Sequence, residues 1–106
     1  MTASVGRVLG ALADDTRRTI VTRLAEGRML TATELADELP ITRQAVTKHL
    51  RVLEDAEVVT AQRHGRESRY RLQGEPLRLA TAWIEDVGDR WDRRLAALKA
   101  QAERDA

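Results

Sequence analysis

Two helix-start signals stand close together with a proline between them. Thr31-Ala32-Thr33-Glu34 places a hydroxyl at an N-cap position and a glutamate three residues on, the capping-box spacing. Pro40 ends the helix that this box opens, because proline lacks the N–H a helix interior needs. Thr42 then caps a second helix, expected over 43–56. The first helix turns Leu35, Ala36 and Leu39 inward, and the second buries Val46, Leu50 and Leu53. Two short helices joined by a tight turn around Leu39-Pro40-Ile41 form a helix-turn-helix pattern. That pattern alone is shared by many all-α domains.

The next residues narrow it. Val58-Val59-Thr60-Ala61-Gln62-Arg63 is β-prone, and His64-Gly65-Arg66-Glu67 holds a turn glycine. Ser68-Arg69-Tyr70-Arg71-Leu72 alternates, with Tyr70 and Leu72 on one face and Arg69 and Arg71 on the other. The result is a hairpin with arginines at its tip and along its outer face. A helix-turn-helix followed at once by such a hairpin predicts a fold that is mainly α with a small β-hairpin wing: a winged helix-turn-helix.

The flanks predict more helix. Val5, Val8, Leu9 and Leu12 recur at helical spacing. Asp14 is an N-cap residue for the following helix, whose apolar stripe is Ile20, Val21, Leu24 and Ala25 and whose end is marked by Gly27. After the hairpin, Gly74 breaks the chain and Pro76 suits the first turn of a long helix over about 76–103. Trp83, Val87, Trp91, Leu95 and Leu98 form its stripe. A helix of that span is about 42 Å long at 1.5 Å per residue, more than one small domain requires. The stripe therefore predicts dimerisation through the N-terminal helix (about 4–12) and the C-terminal helix, with Val5, Val8, Leu9, Leu12, Trp83, Val87, Trp91, Leu95 and Leu98 at the interface. The alternative is packing within one chain.

The chain has 106 residues, which fits one domain with its core over about 10–73. It contains no Cys, so disulfides, thiolate metal sites and cysteine nucleophiles are excluded. No apolar run approaches the roughly 18 residues of a membrane span, and no signal-peptide core precedes the first helix, so a cytoplasmic protein is expected. The formal net charge is only +1. Its distribution is uneven: residues 43–71 hold Arg43, Lys48, Arg51, Arg63, Arg66, Arg69 and Arg71 against Glu54, Asp55, Glu57 and Glu67. A basic middle in a near-neutral chain points to a polyanion, although charge alone also describes an ordinary solvated surface.

Three segments resemble the ArsR family of bacterial winged-helix regulators, in a branch without cysteine metal motifs. Leu12-Ala13-Asp14-Asp15-Thr16-Arg17-Arg18-Thr19-Ile20 resembles the family's LADPTRRxIL stretch, with Asp15 where proline is common. Glu34-Leu35-Ala36, followed by the run from Thr42 to Leu53 that contains Ala45-Val46-Thr47-Lys48-His49-Leu50, is similar to its helix-turn-helix signature. Gly65 to Leu72 resembles its wing. The resemblance implies a homodimer that binds an operator upstream of its own operon and represses transcription until an effector releases it. Family members that sense metals use Cys-x-Cys or paired Asp and His ligands. Here Glu85, Asp86, Asp89 and Asp92 lie on the last helix without a histidine, so neither a metal site nor a cofactor is expected. The effector stays open.

The polar face of helix 43–56 presents Arg43, Gln44, Thr47, Lys48 and Arg51. In a helix-turn-helix the first turn points at base edges, where Arg suits guanine and Gln suits adenine. Thr47 fits a base or phosphate, and Lys48 and Arg51 fit phosphates. Thr33 sits where a phosphate can meet the start of the first helix. In the wing, Arg63, His64, Arg66 and Arg69 fit phosphates or a narrow minor groove. His49 borders the buried face and reads as a structural histidine bonded to a neighbouring helix. Arg17 and Arg18 read as partners of Asp14 and Asp15. There is no setting for catalysis, so the chain is read as a non-enzymatic regulator of double-stranded DNA. The other readings are a winged-helix module for protein partners, or a repressor released by a hydrophobic ligand near Trp83 and Trp91 at the dimer interface.

Overall fold

Four helices of this computed structural model, which describes residues 3–106, begin on a side-chain cap. Ser4 accepts from the Arg7 backbone N–H at 3.2 Å and opens α1 (Val5–Ala11). Asp14 accepts from that of Arg17 at 3.0 Å and opens α2 (Asp15–Leu24). Thr31 and Glu34 form both halves of the capping box that opens α3 (Ala32–Glu38). Thr42 accepts from Ala45 N–H at 3.1 Å and opens α4 (Arg43–Asp55). Each cap satisfies one of the donors that a helix start leaves unpaired.

The sheet has three antiparallel strands in the order β1-β3-β2: β1 (Leu30–Thr31), β2 (Val59–His64) and β3 (Glu67–Leu72). β2 and β3 are the expected hairpin, in the register Val59↔Leu72 to His64↔Glu67. Its two-residue loop begins at Gly65 with φ +63°, the left-handed value a first loop position requires in a type II′ turn. β1 pairs Leu30 with Tyr70 and Thr31 with Arg69, so the capping threonine also closes the sheet. Two residues are too few to display an alternating pattern, so the sequence did not announce this strand.

α4 ends in a Schellman motif. Val58 N–H donates to Leu53 C=O at 2.9 Å and Glu57 N–H to Glu54 C=O at 2.9 Å. The left-handed position, usually glycine, is filled by Glu57 at φ +62°.

The core is aliphatic: Val8, Ile20, Leu24, Leu35, Val46, Leu50, Leu53, Val58 and Val59 are its large buried members. Two expectations are corrected here. Val8 is fully buried within its own chain, so it belongs to the core and presents nothing to a partner. Gly74 does not break the chain; it is the first residue of α5 (Gly74–Asp105), which is longer at both ends than 76–103. Pro76 fits in its first turn because the N–H it lacks would have no intrahelical partner there. Ala80 is the last buried core residue, and α1 packs against α5.

Beyond that contact α5 projects. Its 32 residues give about 48 Å of helix. The radius of gyration is 19.0 Å, where a compact chain of this length would have about 13 Å. Along the projecting part Trp83 is 49% exposed and Trp91 59%, with Ile84, Val87, Leu95 and Leu98 exposed beside them.

Candidate nucleic-acid interface

The amphipathic repeat of α4 decides which of its side chains face solvent. With Val46, Leu50 and Leu53 buried, Arg43, Gln44, Lys48 and Arg51 are exposed, and with Thr47 they line one groove along the helix. The Thr47 hydroxyl donates to Arg43 C=O at 2.9 Å, which leaves its methyl group and an oxygen lone pair for other contacts.

A second depression, of about 620 Å³, opens between the start of α3, α4 and the hairpin. It is lined by Thr31, Thr33, Arg43, Thr47, Arg63, Arg66 and Arg69, with Ser68 and Tyr70 at its base and Glu34 and Glu67 at its edge. Arg43 and Thr47 belong to both depressions, so the helix face and the wing form one continuous basic surface. The cations outnumber the carboxylates there, and the carboxylates are engaged. Glu34 accepts from Thr31 N–H at 2.9 Å, and Glu67 lies 3.6 Å from Arg69. Those backbone and hydroxyl bonds from Thr31 hold the Glu34 carboxyl below its ordinary range.

The wing arginines differ. Arg63 Nε donates to Gly65 C=O at 3.2 Å, which folds the guanidinium onto its own turn and stiffens the tip. His64 is exposed at the end of β2, opposite Glu67, and lines neither depression. Arg71 faces the end of α2 beside Gly27 and Met29, away from the α4 groove. Sequence reasoning did not single out Ser68 for this surface. The strand alternation hid it, because it occupies the same face of β3 as Tyr70, opposite the arginines. Tyr70 packs on the core from that face, and burial pushes its hydroxyl above the ordinary tyrosine range.

Behind this surface, His49 and Arg17 tie the elements together. Arg17 Nε donates to Ala11 C=O at 2.6 Å and its Nη2 to Gly10 C=O at 3.3 Å, while Nη1 lies 3.3 Å from His49 Nδ1. Arg17 is thus a bridge from α2 to α1 and α4, beyond the intrahelical pairing expected of it. Arg18 does pair with Asp15 and also donates to Leu12 C=O at 2.6 Å. Among the described residues no group of three or more His, Asp or Glu side chains is placed to hold a metal ion, and no helix is long and apolar enough to cross a membrane.

Known proteins resemble this chain in sequence and fold. Residues 12–62 match a family model described as a helix-turn-helix domain. The HTH-type transcriptional regulator YuzN of Bacillus subtilis (strain 168) is 42% identical over 92 residues, 80% of this chain and 100% of that protein. An ArsR-like transcriptional regulator from Rhodococcus sp. RHA1 superposes with a TM-score of 0.86 at 42% identity, covering 93% of this chain and 90% of that one. The chain belongs to the ArsR family. It is a winged helix-turn-helix, DNA-binding transcriptional regulator and not an enzyme. A further neighbour is the homodimeric winged helix-turn-helix DNA-binding domain of Mb0332 from Mycobacterium bovis, described as a possible ArsR-family transcriptional regulator, 28% identical with a TM-score of 0.65 over 80% of this chain and 78% of that one.

Proposed function

We propose that this ArsR-family chain is a cytoplasmic, homodimeric repressor of double-stranded DNA that binds an inverted-repeat operator upstream of its own gene. Each α4 enters a major groove, with Arg43 and Gln44 on base edges and Thr47 on a base or phosphate. Lys48, Arg51 and Thr33 meet phosphates, and Arg63, His64, Arg66 and Arg69 of each wing meet flanking backbone or minor groove. Repression follows from occupancy of the promoter, the mode that the family resemblance implies.

The observation that carries the reading is the continuity of the basic surface: Arg43 and Thr47 line both the α4 groove and the cleft closed by the wing arginines. A helix that docks on a protein would present apolar groups there. On α4 only Val52 is an exposed large hydrophobe, and it lines a separate depression with Arg7 and Gly10 of α1, away from the basic face. Dimerisation is supported by the projecting stripe Trp83, Val87, Trp91, Leu95 and Leu98, with the half-buried Val5 and Leu9 of α1 and Leu12 at its C-cap proposed beside it. An exposed apolar stripe of this length on an isolated chain calls for a covering surface. A two-fold axis then places the recognition helices about 34–36 Å apart, or a multiple of it. Selection of binding sites from random duplexes tests the reading. It predicts an enriched inverted repeat bound by two chains. Enrichment of no sequence would overturn it.

A further inference from the structure

We infer that His49 is a positioning residue for operator recognition: by accepting from Arg17, it fixes the recognition helix against α1, the helix on which the projecting α5 packs, and so sets the half-site spacing. The inference rests on the homodimeric DNA-binding reading above.

Three helices meet at this point. Arg17 projects from α2 and donates to the Ala11 and Gly10 carbonyls in the last turn of α1, where Gly10 C=O also accepts from Ala13 N–H at 3.3 Å. Its remaining nitrogen, Nη1, lies 3.3 Å from His49 Nδ1 on α4. A guanidinium can only donate, so Nδ1 is the nitrogen that accepts in this contact. The Asp14 carboxylate, which caps α2 by accepting from the Arg17 backbone N–H, stands 4.0 Å from the same Nδ1. His49 is largely covered, and its side chain is 24% exposed.

The location gives the contact its consequence. α1 packs against both α4 and α5. α5 carries the exposed stripe, and the basic face of α4 carries Arg43 and Gln44. α1 therefore couples the orientation of one to the other, beside the Gln73 N–H to Val58 C=O bond of 2.8 Å that ties the start of α5 to the segment after α4. Packing of Val8 and Ala11 sets their distance. Apolar contact is non-directional, however, and the Arg17 fork with His49 adds a directional restraint on α4 at its α1 side. In a two-fold dimer, a change in that angle moves the two recognition helices relative to each other without changing any base-contacting side chain.

The test compares the wild type, His49→Asn, His49→Leu and Arg43→Ala by selection from duplexes whose half-site spacer varies, with melting temperatures measured in parallel. Asn places an acceptor oxygen close to the Nδ1 position, whereas Leu fills the space without one. The expected result is a narrow spacer preference for the wild type and for His49→Asn. His49→Leu should accept a broader range of spacers and bind the optimal operator about tenfold more weakly, the scale of one covered hydrogen bond. Its base preferences within each half-site should be unchanged. Arg43→Ala should do the reverse, losing one base preference and keeping the spacer. A His49→Leu protein with lowered melting temperature but wild-type spacer preference would overturn the inference and leave His49 a structural residue. Equal spacer broadening by Asn and Leu would also overturn it. A wild type that selects no inverted repeat would overturn the DNA reading itself, and this inference with it.

Discussion

Arg43 and Lys48 occupy the same exposed face of α4 and should behave differently when removed. Arg43 lies in the first helical turn, where a bidentate guanidinium reads guanine. Arg43→Ala should cost about 1–3 kcal/mol on the best operator and relax the preference at one base pair. Equal losses on operator and random DNA, measured by competition titration, would contradict the base-reading role. Lys48 is a point charge farther along the helix. Lys48→Ala should weaken all sequences alike and reduce the slope of log K against log salt by about one. These residue types and their face were legible in the sequence, because the burial of Val46, Leu50 and Leu53 fixes what lies opposite. The partner of His49 was not. Arg17 is distant in sequence and looked committed to Asp14 and Asp15. Only the fold brings its fork to α1 and α4 together.

Caps and stops made the helices readable as elements. Thr31, Glu34, Pro40 and Thr42 are local signals that do not depend on tertiary context, and α3 and α4 begin where those signals place them. Thr42→Ala should lower stability by about 1 kcal/mol, read from denaturant midpoints, since the Ala45 N–H loses its acceptor. The end of α4, with its C-cap at Ala56, also falls where the expected span 43–56 places it, although its left-handed residue is Glu57 instead of glycine. Glu57→Gly should therefore stabilise the protein by about 1 kcal/mol, through removal of a conformation that costs side-chain-bearing residues roughly that much. A lower melting temperature would show that the contacts of the glutamate outweigh its strain. The caps also carry a pH dependence. Asp14 is held below the ordinary carboxylate range, first by the Arg17 backbone N–H. Its folded-state value is depressed, so its contribution is full above the unfolded carboxylate value of about 4 and is lost as pH falls through the lower folded value. The stability difference between wild type and Asp14→Asn should shrink as pH is lowered from 7 to 3. A difference that stays constant over that range would contradict the assignment.

At the scale of the whole molecule, shape divides the chain into a packed head and a projecting arm. The extents of 70 × 29 × 21 Å come from α5, whose residues beyond Ala80 are exposed. The periodicity of its tryptophans and leucines announced the helix, but composition could not say that α1 would bury Val8 inward while Leu9 and Leu12 remain partly open. A charge in the arm tests its role. Trp91→Asp should leave the head folded, with near-native melting of α1–α4, and yield a monomer by sedimentation velocity. An unaltered sedimentation coefficient would exclude the arm as the dimer contact. DNA affinity should fall with dimerisation, because two half-sites bound by one rigid dimer gain from linkage that separate heads lack.

The most direct test of the central claim is a titration of the protein into a labelled duplex from upstream of its own gene. Random DNA serves as competitor, at two salt concentrations. The continuous basic surface of α4 and wing predicts tight, selective binding in steps of two chains, weakened steeply by salt as counterions are released. Binding no stronger than to random DNA, with no inverted repeat recovered by selection from random duplexes, would contradict the account.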